Sequence, residues 1–304
     1  MDTVKKFGRV IIPMCTAFNE DYTIDYELTN KVARHLIEKS LCDSLIIAGT
    51  NGEFYTMSFE EKVNLFSSVK KAVGNEMPLI AGTGSSNTKE TIELTQKAEG
   101  LGYDAVMVVV PYYCHPTQEG LYQHFSRVAE NTNLPIFIYN IPLLTGTNIE
   151  PATVLQLTEY KNIVGLKDEA GVNPLQASEV LRLTEGKIEV YSGDDLMVLA
   201  IVTQGGSGVV SGGSHVIGDM MRDMINSYLE GEIQETTEKF KRLYNLFIAF
   251  FGRNKRLKNP LPAVKAAFEI SSGLPVSRVR LPLMEPEEDE MNTLKESLRI
   301  VGKL

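Results

Sequence analysis

Several features are scarce in this chain of 304 residues. No run of about 18 apolar residues occurs, so no membrane-spanning helix is expected. Residues 1–9 carry lysines with no apolar stretch behind them, which argues against a secretory signal. The three cysteines, Cys15, Cys42 and Cys114, form no close-spaced metal or redox motif. So sparse and odd a set fits a reducing cytoplasm. Cys114, beside two tyrosines, reads as a bystander thiol, because no histidine–carboxylate arrangement is legible around it. The four histidines, His35, His115, His124 and His215, are scattered with no pair at ligand spacing, so neither a metal nor another cofactor is expected. Nucleotide motifs are missing too. No Gly-x-Gly-x-x-Gly follows the first strand, and there is no Gly-x-x-x-x-Gly-Lys. Positive charge is in deficit: the formal net charge is -9, and the only block of like charge is the acidic run 285–290, interrupted by Pro286. That balance argues against nucleic acid or anionic membrane as a partner, while leaving small anionic substrates open, since the local field of a cleft can oppose the global sign.

What is present is a soluble-protein composition, 43% apolar and 23% charged, arranged as alternating strands and helices. Short β-branched runs at 10–13, 44–48, 78–81, 105–110, 136–139, 163–167, 188–192 and 208–211 predict strands. Amphipathic stretches predict helices at 25–38, 58–73, 87–101, 118–131, 151–157, 174–183 and 196–204. Ser58-x-x-Glu61 is a capping-box pattern, and Pro151 and Pro174 sit at first helical turns. Strict alternation implies parallel pairing with right-handed crossovers, and eight units suit a closed (β/α)8 TIM barrel. An open doubly wound sheet is the alternative. Helices are also expected at 216–230, 233–251, 262–272 and 287–301. The barrel is therefore assigned to residues 1–225. Residues 226–304 are read as the end of the last barrel helix plus a C-terminal helical extension packed on the barrel, since no low-complexity linker separates them.

One strand carries the strongest chemical signal. Ile163-Val164-Gly165-Leu166 runs directly into Lys167. A strand apolar on both faces is a buried parallel strand, and barrel enzymes place their chemistry at its carboxyl end. Desolvation there disfavours the ammonium and frees the amine as a nucleophile. Taken alone, a lysine that merely reaches to solvent is the plainer account. The other strand ends change that balance. In a barrel they converge: Gly49-Thr50-Asn51-Gly52-Glu53, Gly82-Thr83-Gly84, Pro111-Tyr112-Tyr113, Tyr139-Asn140-Ile141-Pro142, Ser192-Gly193-Asp194-Asp195 and Ser211-Gly212-Gly213-Ser214. The Gly-Thr-Asn-Gly turn offers N–H groups, a hydroxyl and an amide to a carboxylate. Tyr139 ends a strand beside that of Lys167 and suits proton transfer, with Thr50 a possible link. An amine, a phenol and a carboxylate cradle without a metal match Schiff-base chemistry on a 2-oxo acid.

These motifs, with Gln118-Glu119-Gly120-Leu121-Tyr122, Thr145-Gly146 and Gly165-Leu166-Lys167-Asp168, resemble the dihydrodipicolinate synthase / N-acetylneuraminate lyase family of pyruvate-dependent class I lyases, essentially end to end. The resemblance implies a TIM barrel and a homotetramer built as a dimer of dimers. It implies Lys167 as the imine-forming lysine and Tyr139 as the acid/base tyrosine. Thr50 and Asn51 fall where the pyruvate carboxylate is held, Asn51 replacing a usual threonine or serine. Tyr113 matches a tyrosine that completes a proton relay from a neighbouring subunit. Val210 falls where a backbone carbonyl faces substrate, and Gly193 lies in the substrate-binding strand end.

Substrate choice turns on the stretch after Tyr139. Synthases that condense pyruvate with aspartate semialdehyde carry an arginine where this chain has Leu144, and losing such a charge-assisted pair costs on the order of 1.5–3 kcal/mol. Phe54, Phe59 and Lys62 also differ from the residues with which synthases bind feedback lysine. The favoured expectation is therefore an aldolase splitting a 2-keto-3-deoxy sugar acid to pyruvate and an aldehyde. 4-Hydroxy-tetrahydrodipicolinate synthase activity, a 2-keto-3-deoxy acid dehydratase and, ranked last, a non-catalytic keto-acid binding protein are the alternatives. Glu169 is expected to face the opening, where it would meet substrate hydroxyls or repel an acidic group.

Overall fold

A computed structural model describes residues 2–170, 173–251 and 259–304. Among the described residues eight strands form: β1 (Val10–Pro13), β2 (Ser44–Ile47), β3 (Leu79–Gly82), β4 (Ala105–Val109), β5 (Ile136–Asn140), β6 (Ile163–Asp168), β7 (Glu189–Ser192) and β8 (Gly208–Val210). They close in chain order, β8 pairing with β1. All the pairings are parallel, so every carboxyl end opens on one face. The open-sheet alternative is excluded. Both faces of the strands are covered, which is why they read as continuous apolar runs.

Helix starts follow the chemistry expected of them. Ser58 and Glu61 form a reciprocal capping box on Phe59–Val73, and Asn173 caps Pro174–Thr184. The expected helix 196–204 is instead a short turn, Asp195–Met197, followed by Val198–Val202, because Asp194 caps at Leu196 and starts the turn early. The helix Ser214–Leu229 runs across residue 226, and Ile233–Phe250, Leu261–Ser272 and Glu288–Val301 follow it. The part of the expected extension at 252–258 lies outside the described residues. Every residue from Leu261 to Phe268 is buried, including Lys265. A helix apolar all round belongs inside, so this one is enclosed rather than surface-laid.

Two short helices were not anticipated. Thr3–Phe7 is capped by Asp2, and its Phe7 is fully buried edge-on against Phe137 of β5. Pro142–Thr145 follows β5 and holds Leu144 at the barrel mouth.

Candidate active site

Barrel register sets the first relation in the site: Tyr139 on β5 and Lys167 on β6 are direct partners. Lys167 is 5% exposed, so its head does not escape to solvent. Its Nζ lies 3.8 Å from the centroid of the Tyr139 ring and 3.4 Å from Oε2 of Glu169. The Tyr139 hydroxyl donates to that same oxygen at 3.0 Å, and the Thr50 hydroxyl lies near enough to the phenol to favour its ionised form. One carboxylate oxygen thus joins the amine to the phenol. Glu169 lines the cavity beside Lys167, with its carboxylate turned inward to the amine and the phenol.

Burial sets the electrostatics of the group. It lowers the Lys167 pKa, opposed by the negative charge of Glu169, then Asp195 and Asp194. It raises that of Tyr139 well above the usual phenol value, assisted by the charge of Glu169 and opposed by Thr50. Burial pushes Glu169 up to about 7 and Asp195 up to about 6, Lys167 opposing both. Tyr139 is therefore held as a proton donor, while the amine and Glu169 are drawn toward neutrality together. Asp168 points elsewhere: Asn140 and Gln176 donate to its Oδ1 at 2.9 and 3.3 Å, a polar tie behind the strand ends.

Gly193 makes this arrangement possible. A Cβ there would sit 2.9 Å from Cε of Lys167 and 2.7 Å from Cβ of Glu169. The requirement is for space, since the backbone is not left-handed there. Gly193→Ala should lower kcat by on the order of 10²-fold by displacing both side chains. Steady-state kinetics beside a melting curve checks this; unchanged kcat would mean that the two side chains adjust without consequence.

Thr50 and Asn51 occupy a single turn, Thr50–Gly52, directly after β2. Asn51 is buried, and its amide nitrogen lies 2.7 Å from where a Cβ on Gly212 would be. The turn is anchored from beneath by Glu53, which has a left-handed backbone, φ 60°. Glu53 and Lys265 form an ion pair of 2.9 Å with both side chains fully buried. The second carboxylate oxygen of Glu53 accepts the Arg280 N–H at 2.8 Å, and Lys265 also donates to the carbonyls of Thr16 and Arg278. Sequence reasoning missed Lys265 as a partner of this turn. Its signal was a lone cation inside an apolar helical stretch.

Two cavities meet at Lys167. One lies against Thr50, Tyr139 and Gly84, and the other adds Asn51, Leu144, Glu169, Gly193, Asp194, Asp195 and Val210. Lys167 is the only cation among the described residues lining either. Leu144, 44% exposed, forms part of the outer wall. Asp194 and Asp195 line the same space, but each already accepts a backbone N–H, from Leu196 and Gly213. Tyr113 is not brought to this site within the chain: it is 91% exposed with φ 72°, an unusual backbone for a bulky residue. Among the described residues no group of three or more metal-ligating side chains is assembled, and no helix is long and apolar enough to cross a membrane.

A (β/α)8 barrel with a buried lysine at a strand's carboxyl end, backed by a tyrosine on the neighbouring strand, defines a class I, Schiff-base-forming enzyme. The chain belongs to the Dihydrodipicolinate synthetase family, whose sequence model matches residues 6–301. It is 43% identical over 297 residues to the 4-hydroxy-tetrahydrodipicolinate synthase of Heliobacterium modesticaldum, covering 98% of this chain and 96% of that one. The synthase of the same name from Desulforudis audaxviator is 44% identical over 293 residues, covering 96% and 97%. Among solved structures, a dihydrodipicolinate synthase from Bacillus anthracis superposes with a TM-score of 0.90 at 40% identity, covering 97% of this chain and 98% of that one. The lysine-bound enzyme of Cyanidioschyzon merolae gives 0.92 at 38%, covering 98% and 99%. The family works with pyruvate and an aldehyde through a lysine Schiff base.

These relatives overturn the expectation of a sugar-acid aldolase. That expectation rested on a few local positions: Leu144, the residues Phe54, Phe59 and Lys62, and the stretch Tyr139–Gly146 with Lys167-Asp168. A likeness of 43% spread over 98% of the chain outweighs it and favours the synthase alternative.

Proposed function

We propose that this protein is a 4-hydroxy-tetrahydrodipicolinate synthase, condensing pyruvate with aspartate semialdehyde on Lys167. The observation that carries the reading is the buried Lys167–Tyr139 pair on the cavity floor, in a chain whose relatives bear that name. Lys167 adds to C2 of pyruvate and water leaves, giving the imine. Loss of a C3 proton gives the enamine, whose C3 attacks the aldehyde carbon. The aldehyde oxygen takes a proton, for which Tyr139 is the donor at hand, and the substrate's own amine then displaces Lys167 from C2. Thr50 and Asn51 hold the pyruvate carboxylate, and Val210 faces it with its carbonyl. Gly193 gives the substrate room, and Leu144 walls the aldehyde. Tyr113, exposed and strained within one chain, acts at a neighbour's site in a homotetramer built as a dimer of dimers.

A coupled assay with pyruvate and aspartate semialdehyde tests the reading; no consumption of both would end it. Leu144 makes the semialdehyde's carboxylate weakly held. Leu144→Arg should lower the semialdehyde KM roughly tenfold or more, the equivalent of one charge-assisted pair, and leave the pyruvate KM unmoved. An unchanged semialdehyde KM would assign that carboxylate to other residues.

A further inference from the structure

We propose that Glu169 is a catalytic residue, its carboxylate moving protons between the Lys167 nitrogen and the oxygen that leaves as water during imine formation, with Tyr139 hydrogen-bonded at the far side. The role rests on the reading of Lys167 as the imine-forming residue. It goes beyond that reading, which leaves the proton acceptor for Lys167 unnamed.

The geometry carries the assignment. Oε2 of Glu169 is 3.4 Å from the reacting nitrogen and 3.0 Å from the Tyr139 hydroxyl. The Lys167 nitrogen sits over the face of the Tyr139 ring, and its ionic partner is the Glu169 carboxylate. The position of Glu169 is built. Its N–H donates to the Asn140 carbonyl at 2.9 Å, extending β5–β6 pairing beyond the strand end, and its side chain fits only because residue 193 has none. About a quarter of the Glu169 side chain remains accessible, so its carboxylate can meet a molecule entering beside Lys167.

The proton balance closes on these groups. The Lys167 ammonium gives one proton to Glu169, and the free amine forms the C–N bond at C2. The carbonyl oxygen, now an alkoxide, takes a proton from the new ammonium centre. Glu169 returns its proton to that hydroxyl, the C–O bond breaks, and water departs carrying both protons. Glu169 ends ionised beside the iminium, whose charge it balances. The groups facing Glu169 are Lys167 from β6, Tyr139 from β5, and Asp194 after β7. Its pKa, raised to about 7, puts its basic form at and above neutral pH.

The test uses pyruvate alone, so it does not depend on the aldehyde. Imine formation is timed by borohydride quenching of the full-length protein. Glu169→Gln keeps the shape and still accepts from Tyr139. It should slow trapping on the order of 10²-fold with an unchanged melting temperature, and abolish the rise in rate through about pH 7. In Glu169→Ala, added formate should recover part of the lost rate, which a merely structural role would not permit. Wild-type trapping rates in Glu169→Gln, or no formate recovery in Glu169→Ala, would overturn the role while leaving Lys167 in place. Absence of any pyruvate adduct in the wild-type protein would overturn the reading of Lys167 and this role with it.

Discussion

Lys167→Ala loses turnover by roughly four or more orders of magnitude, the scale on which removal of a covalent nucleophile acts, while the barrel still folds. Activity with pyruvate and aspartate semialdehyde, measured beside circular dichroism, checks both halves. The variant also has a pH signature. Lys167 is the cation opposing the raised pKa values of Glu169, Asp194 and Asp195. Without it these carboxyls rise further. A carboxyl raised above its unfolded value contributes stability that is fully present below the unfolded pKa and lost as pH rises through the folded one. Lys167→Ala should therefore be more stable relative to wild type at pH 5 than at pH 8. Equal differences at both would mean that the three carboxyls are hydrated in the folded protein.

Glu53→Ala gives the largest expected loss of stability. It strands the Lys265 ammonium in a fully buried position, and breaking a buried pair from one side costs about 3–5 kcal/mol. Removing both charges together, as Glu53→Gln with Lys265→Met, should recover most of that loss. The coupling reaches the active site along the chain, because Thr50 and Asn51 share the turn that Glu53 anchors. Glu53→Ala should thus raise the pyruvate KM as well. Urea unfolding of the single and double variants reads the first effect, and pyruvate saturation reads the second. If the double variant were as unstable as Glu53→Ala, the bonds to Thr16, Arg278 and Arg280, rather than the charges, would hold the joint.

The barrel strands were legible to within a residue at most ends, because a strand buried on both faces is written as a short apolar run. Lys167 and Tyr139 could be placed together for the same reason: consecutive parallel strands lie side by side. The helix Thr3–Phe7 was not legible, since its one apolar anchor, Phe7, acquires meaning only against Phe137. Glu169 was expected at the opening, and the inward turn of its carboxylate depends on the space left at Gly193, a relation between two strand ends. Glu53 and Lys265 lie far apart in sequence, and no local pattern couples a turn after β2 to a C-terminal helix. Leu144, with Phe54, Phe59 and Lys62, misled for a different reason: a few local departures were weighed against a likeness that runs over 98% of the chain.

Lys167, on this reading, carries the keto acid. Incubation with pyruvate and borohydride, digestion and mass mapping test it most directly. One reduced pyruvate adduct is expected, on the peptide containing Lys167 and absent from Lys167→Ala. An adduct on another lysine, or none, would contradict it.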